Sequence, residues 1–138
     1  MISGKQFNET YNGRFVKLTN EKCIHNGFEY KEGLNIDVLE FDSRNVCVPG
    51  GLYFCDYKDI GRWAQYNKKI MMYIWDVVIP DDAQVVYMTN KIKCDKFILA
   101  NKKPIWSNSH MCLEIVKQHG RALQFVKEQT EVICLEAV

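Results

Sequence analysis

Residues 70–80 read IMMYIWDVVIP. The run is apolar on both faces and rich in β-branched and aromatic side chains. Such a segment suits a strand covered on two sides, at the centre of a sheet. Pro80-Asp81-Asp82-Ala83 supplies a turn after it, and QVVYMTN (84–90) and IKCDKFILA (92–100) read as the next two strands. Toward the N-terminus, LYFC (52–55) follows the break Pro49-Gly50-Gly51 and reads as a short buried strand. RFVKLTN (14–20), KCIHNGFEY (22–30) and LNIDVLEF (34–41) alternate in part between Asn and Gly punctuation. One helix is expected over DYKDIGRWAQYN (56–67). Asp56 can cap it, Asp59 suits the dipole of its first turn, and Ile60, Trp63 and Ala64 keep helical spacing, with Gly61 the weak point.

Past Asn101-Lys102-Lys103-Pro104 the pattern changes. Met111, Cys112, Ile115 and Val116 form one helical stripe, and Ala122, Leu123, Phe125 and Val126 a second. Gly120 falls where a helix C′ residue would sit, and Thr130 can cap a further helix. The expected fold class is α+β: a compact β-rich domain with one short helix over 1–107, then a C-terminal helical hairpin or repeat tail over 108–138. Within that tail, CLEIV at 112–116 recurs as CLEAV at 134–138, 22 residues later. A period of that size in two short helices fits a stacking repeat, and one repeat alone cannot bury its apolar face. The tail must therefore pack on the β-rich domain, on a second copy or on a partner. The docking candidates are Met111, Ile115, Leu123 and Phe125.

Composition narrows the function classes. With 138 residues, 47% of them hydrophobic, the chain supports one folded domain or one domain with an appendage. Its mixed charges sum to +1, so no overall field draws in nucleic acid or an anionic membrane. No apolar run approaches the roughly 18 residues that span a bilayer. MISGKQFNETYNGR (1–14) lacks the apolar stretch of a secretory leader, so an intracellular, non-secreted protein is expected. The six cysteines form no C-x-x-C pair; free thiols are expected, with no metal and no bound cofactor. None of His25, His110 and His119 is placed by sequence beside a cysteine, as a thiol hydrolase would need. Lys91, Lys93, Lys96, Lys102 and Lys103 lie among Tyr87, Phe97 and Trp106, the composition of a nucleic-acid surface. Solvated lysines guarding a sheet edge are the stronger expectation there.

CLEIVKQHGRALQFVKEQTEVICLEAV (112–138) resembles the repeats designated DUF4116, abundant in giant DNA viruses of the mimivirus group. CVPGGLYFCDYKDIGRWAQYN, VVIPDDAQVVYMTNKIKCDKFILA and PIW resemble a domain found ahead of repeats in the same viruses. The resemblance implies a modular viral accessory protein of the host cytoplasm or virion. The function expected is a non-catalytic protein-interaction module, partnered by a protein or by itself through the tail. GGLYFCDYKDIGRWAQY is also similar to a segment of ADP-ribosyltransferases. That likeness implies an alternative, an NAD-using enzyme with Gly51, Tyr53 and Tyr66 at the cofactor. Such enzymes use a glutamate on a later strand, and this chain has none between Glu40 and Glu114. Asp76 or Asp95 would have to serve with a shorter side chain.

Overall fold

The computed structural model describes residues 1–66 and 69–137, with Tyr66 described in its backbone alone. The order is β1 (Ile2–Ser3), α1 (Gly4–Thr10), β2 (Phe15–Thr19), β3 (Ile24–His25), β4 (Phe28–Glu29), β5 (Gly33–Ile36) and β6 (Leu52–Asp56). A 3₁₀ turn at Tyr57–Asp59 leads into α2 (Ile60–Trp63), followed by β7 (Gln65–Tyr66), β8 (Lys69–Ile70), β9 (Tyr73–Val78), β10 (Gln84–Tyr87), β11 (Ile92–Cys94) and β12 (Lys96–Pro104). The chain ends in α3 (Ser109–Gln118), a 3₁₀ segment at Gly120–Phe125 and α4 (Glu131–Glu136). The class is α+β.

Eight strands form one antiparallel sheet in the order β1-β10-β11-β6-β2-β9-β12-β5. β9 lies inside it, between β2 and β12, as its two-sided apolar pattern requires. The sequence around 92–100 behaves differently from the single strand expected. Asp95 breaks it into β11 and β12, which pair with different halves of the sheet. The Asp95 carboxylate accepts the Gln84 N–H at 2.7 Å, and its carbonyl accepts the Asp37 N–H at 3.0 Å. The helix expected over 56–67 is shorter than its pattern, with β7 taking over at Gln65; Asn67 lies outside the described residues. Asp56 does cap the turn there, accepting the Lys58 N–H. At Gly61 a Cβ would run into the Gln118 side chain, so glycine lets α2 lie against α3.

The opening segment folds where the pattern gave no element. Ser3 Oγ accepts the Gln6 N–H at 3.1 Å and Gln6 Oε1 accepts the Ser3 N–H at 2.9 Å, a capping box that starts α1. α1 then lays Phe7 into the core.

Strand alternation divides the core in two. Val16 and Leu18 of β2, Cys55 of β6 and Ile74 of β9 face one way. They pack under Ile60, Ala64, Met111, Cys112, Ile115, Val116, Ala122, Val126 and Ile133, so the helical tail closes this face of its own sheet. The second stripe lies on a 3₁₀ segment, and α3 ends at His119 with Gly120 packed against the end of α4. Thr130 caps α4 by accepting the Ile133 N–H at 3.3 Å. On the opposite face the sheet curls until its two halves share a core. Leu52 and Phe54, Trp75 and Val77, Val85, Ile92 and Cys94, and Phe97 and Leu99 meet there beneath Phe7. Phe7, Phe15, Phe54, Phe97 and Tyr30 form a chain of ring contacts with centroids 4.9–6.0 Å apart.

Candidate functional site

β2 and β6 pair at Phe15↔Asp56 and Val16↔Cys55 only, though each strand is five residues long. Past Val16 the two strands part. A cavity of about 670 Å³ lies in the split, lined by Lys17 and Leu18 on one side and Leu52, Tyr53 and Phe54 on the other. The loop 47–51, the β3–β4 hairpin, Trp63, Lys69 and Lys91 also line it, as do Tyr30, Asp37, Leu39 and, from the helix-backed core, Val16, Cys55 and Met71. Gly50 has φ of 97°, in the left-handed region, and Gly51 leaves room for the stem of Lys93.

Lys93 corrects the sequence expectation. It is no solvated edge lysine: its side chain is 0% exposed, covered by the loop in front of β6. Its Nζ donates to the Arg44 carbonyl at 2.6 Å and the Val46 carbonyl at 3.3 Å. The Asp42–Arg44 ion pair at 2.6 Å and the Asp42 N–H to Gly50 carbonyl bond at 2.7 Å brace the same loop. The Arg44 guanidinium holds the Asp42 carboxyl well below the usual carboxylate range. Lys91 reaches across the cavity wall, 2.7 Å from Cys47 Sγ and 4.6 Å from the centre of the Tyr53 ring. The Tyr53 hydroxyl donates to the Val48 carbonyl at 2.8 Å.

Lys17 shares the inward face of β2 with Phe15 and Thr19. Its Nζ sits 4.6 Å from the centre of the Tyr30 ring, and the half-buried side chain borders the cavity. Burial lowers its pKa from 10.5 to about 8; the Cys55 and Cys94 groups oppose the shift and the Lys91 charge adds to it. Neighbouring His25 is lowered to about 4 by burial and by the charges of Lys17 and Lys69. It is therefore neutral at pH 7, with Nε2 accepting the Asn20 N–H at 3.2 Å. Burial raises the Tyr30 and Tyr53 hydroxyls above their usual range.

Of the candidate cofactor residues, Gly51 and Tyr53 line this one cavity, while the Tyr66 side chain lies outside the described residues. Asp76 is engaged elsewhere, with Asn101 and Arg14, and Asp95 holds the Gln84 N–H. The one carboxylate among the described lining residues is Asp37. The docking candidates also separate. Met111 and Ile115 are buried under the sheet, whereas Leu123 and Phe125 are half-buried at the tail's rim. Sequence reasoning passed over Lys17: the RFVKLTN alternation sets it with Phe15 and Thr19 opposite Val16 and Leu18, but does not place it at a cavity. All six cysteines are unbridged, and among the described residues no three His, Cys, Asp or Glu side chains form a metal-ligand set. No helix among them is long and apolar enough to cross a membrane.

The chain is 39% identical over 82 residues to the uncharacterised protein R869 of Acanthamoeba polyphaga mimivirus, covering 57% of this chain and 56% of that one. It is 32% identical over 85 residues to R868 of the same virus, which bears an ankyrin-repeat name, covering 60% of this chain and 40% of that one. A second protein with an ankyrin-repeat name, R838, is 37% identical over 78 residues, or 51% and 27% of the two chains. The relatives are mimivirus proteins. They support a giant-virus origin for this chain, which spans about half or less of their length. No family model and no solved structure matches.

Proposed function

We propose that the chain is a protein-interaction module of a giant virus, acting in the host cytoplasm or virion, with the helical tail as its docking element. In this reading residues 1–107 are the scaffold and 108–138 a DUF4116-like unit that stacks against a helical surface of a partner protein. One observation carries it. α4 buries Ile133 inward while presenting Val132 and Leu135 outward, 58% and 67% exposed. A helix apolar on its outer side as well is built like an inner member of a stack. The longer relatives with ankyrin-repeat names support the same reading. Leu123 and Phe125 would form the rim of the interface; Met111 and Ile115 would support it from behind.

The test is affinity capture by the full chain against Val132→Glu/Leu135→Glu, with the melting temperature measured in parallel. A helical partner, or a second copy, held by the parent and lost by a variant that still folds supports the tail. Equal capture by both removes it. Attention would then pass to the apolar row Val78, Ile98 and Leu34, adjacent in register across three strands, with Val78 and Leu34 exposed and Ile98 half-buried between them.

A second reading is an NAD-using enzyme of the ADP-ribosyltransferase kind, favoured by Gly51 and Tyr53 sharing one cavity. In that reading Asp37 would take the part of the absent glutamate. Titration with NAD, followed by assay for nicotinamide release in the parent and in Asp37→Asn, tests it; no nicotinamide from the parent ends it.

A further inference from the structure

We propose that the split between β2 and β6 binds a small organic anion, a phosphate or carboxylate on a flat apolar body, with Lys17 and Lys91 as its cationic contacts. The proposal rests on neither functional reading above, because it concerns side chains that tail docking does not use and an anion that need not be NAD.

The first argument is electrostatic. The described lining residues include three lysines, Lys17, Lys69 and Lys91, and one carboxylate, Asp37. Asp37 Oδ1 already accepts the Leu39 N–H at 3.2 Å. A cavity with an excess of cations between apolar walls focuses a positive field that selects anions.

The second argument is the condition of Lys17. A buried ammonium is costly unless it is paired and hydrogen-bonded. Lys93, two strands away on β11, has two carbonyl acceptors within 3.3 Å. Lys17 has neither an ion pair nor a hydrogen bond among the described residues; the face of Tyr30 is its contact. Its lowered pKa still leaves it about nine-tenths protonated at pH 7. An anion entering the cavity would supply the missing partner and raise that pKa again.

The third argument is shape. Tyr53, Trp63, Phe28 and Tyr30 present aromatic surface to the same space. Rings on the walls and cations between them match a flat apolar body with a charged end better than a bare inorganic ion.

The experiment is calorimetric titration of the full chain at pH 7 and low salt. Phenyl phosphate and benzoate are the probes, with inorganic phosphate and phenol as controls. Binding of either probe, with both controls weaker by about tenfold or more, is expected; which probe binds more tightly separates phosphate from carboxylate recognition. Lys17→Met should weaken the better probe on the order of tenfold to a hundredfold, the worth of a charge-assisted hydrogen bond. Lys91→Met should weaken it less. Chemical-shift mapping on the parent protein gives a reading free of any variant, with changes expected around Lys17, Tyr30 and Tyr53. No binding at millimolar probe, shifts centred elsewhere, or unchanged affinity in Lys17→Met would overturn the proposal.

Discussion

The two faces of β2 have different fates. Val16 and Leu18 lie under α3 and α4 in a core where Cys112, Ile115 and Val116 are sealed from solvent. Phe15, Lys17 and Thr19 look into a core that the sheet must make by curling on itself, and the cavity in the split takes Lys17, Leu52 and Phe54 from this side and the margins of Val16, Leu18, Cys55 and Met71 from the other. A separate layer of helices can settle onto a sheet and fill it. A sheet that covers itself is constrained by twist and register, and here β2 and β6 stop pairing after Val16. The helices seal the heart of their face, at Cys112, Ile115 and Val116; the room for a ligand lies at the split, where β6 stops pairing with β2 and the self-covered side is left unfilled.

Truncation on each face should sharpen that contrast, and the largest effect belongs to the helix-backed one. Ile115→Ala removes a side chain that is 1% exposed between sheet and tail. It should cost about 2–5 kcal/mol, toward the upper end because the surroundings are fully packed. Leu52→Ala borders space that is already empty, so its loss should fall toward the lower end of the same range. Urea unfolding of both variants checks the order; equal losses would mean that the two faces are equally well packed.

The next effect is a dependence on pH. Lys17 falls from 10.5 to about 8 on folding, chiefly by burial. Below pH 8 both states hold the proton, and the cost of burying the charge is fully present. Between about 8 and 10.5 the unfolded chain binds a proton that the folded chain has released, so this group stabilises the fold as pH rises. Lys17→Met removes the cost outright. The variant should therefore be more stable than the parent at pH 7 by about 1–3 kcal/mol, the upper figure being the whole shift at 1.36 kcal/mol per unit. The gap should close as pH approaches 10. A variant less stable at pH 7 would mean that the Tyr30 contact outweighs desolvation, and that Lys17 is a structural lysine.

The parts of this fold legible in the sequence are those fixed by local pattern. β2, β6, β9 and β10 fall within their apolar runs, and Asp56 and Thr130 cap where they were expected to. The split of 92–100 was legible and missed, because the apolar alternation changes phase at Asp95-Lys96, from Ile92 and Cys94 to Phe97 and Leu99; the acceptor role that turns the chain there depends on Gln84 and Asp37, remote in sequence. α1 was legible and missed, since Ser3 and Gln6 carry the capping box in plain view. In the tail, periodicity marked the buried stripe but not its α or 3₁₀ geometry. For the cavity, Gly51 and Tyr53 stood out by resemblance. Lys17 did not, because its meaning depends on where β6 stops pairing, and no local pattern encodes that.

The smallest effect comes from the second lysine. Lys93 is more fully covered than Lys17, yet its ammonium ties the Arg44 and Val46 carbonyls to β11. Burial lowers its pKa too, but the two acceptors offset the cost of the charge. Lys93→Met should therefore destabilise the protein, by about 1–2 kcal/mol, because the loop carbonyls lose a charged donor and recover only part of it from water. Hydrogen exchange should quicken over residues 44–50 and stay unchanged in α3, which packs on the opposite face. Two lysines, one buried and one half-buried, both changed to methionine, would then shift stability in opposite directions. The sign is set by whether the protein itself supplies the acceptors, and at Lys17 that place is open to a ligand.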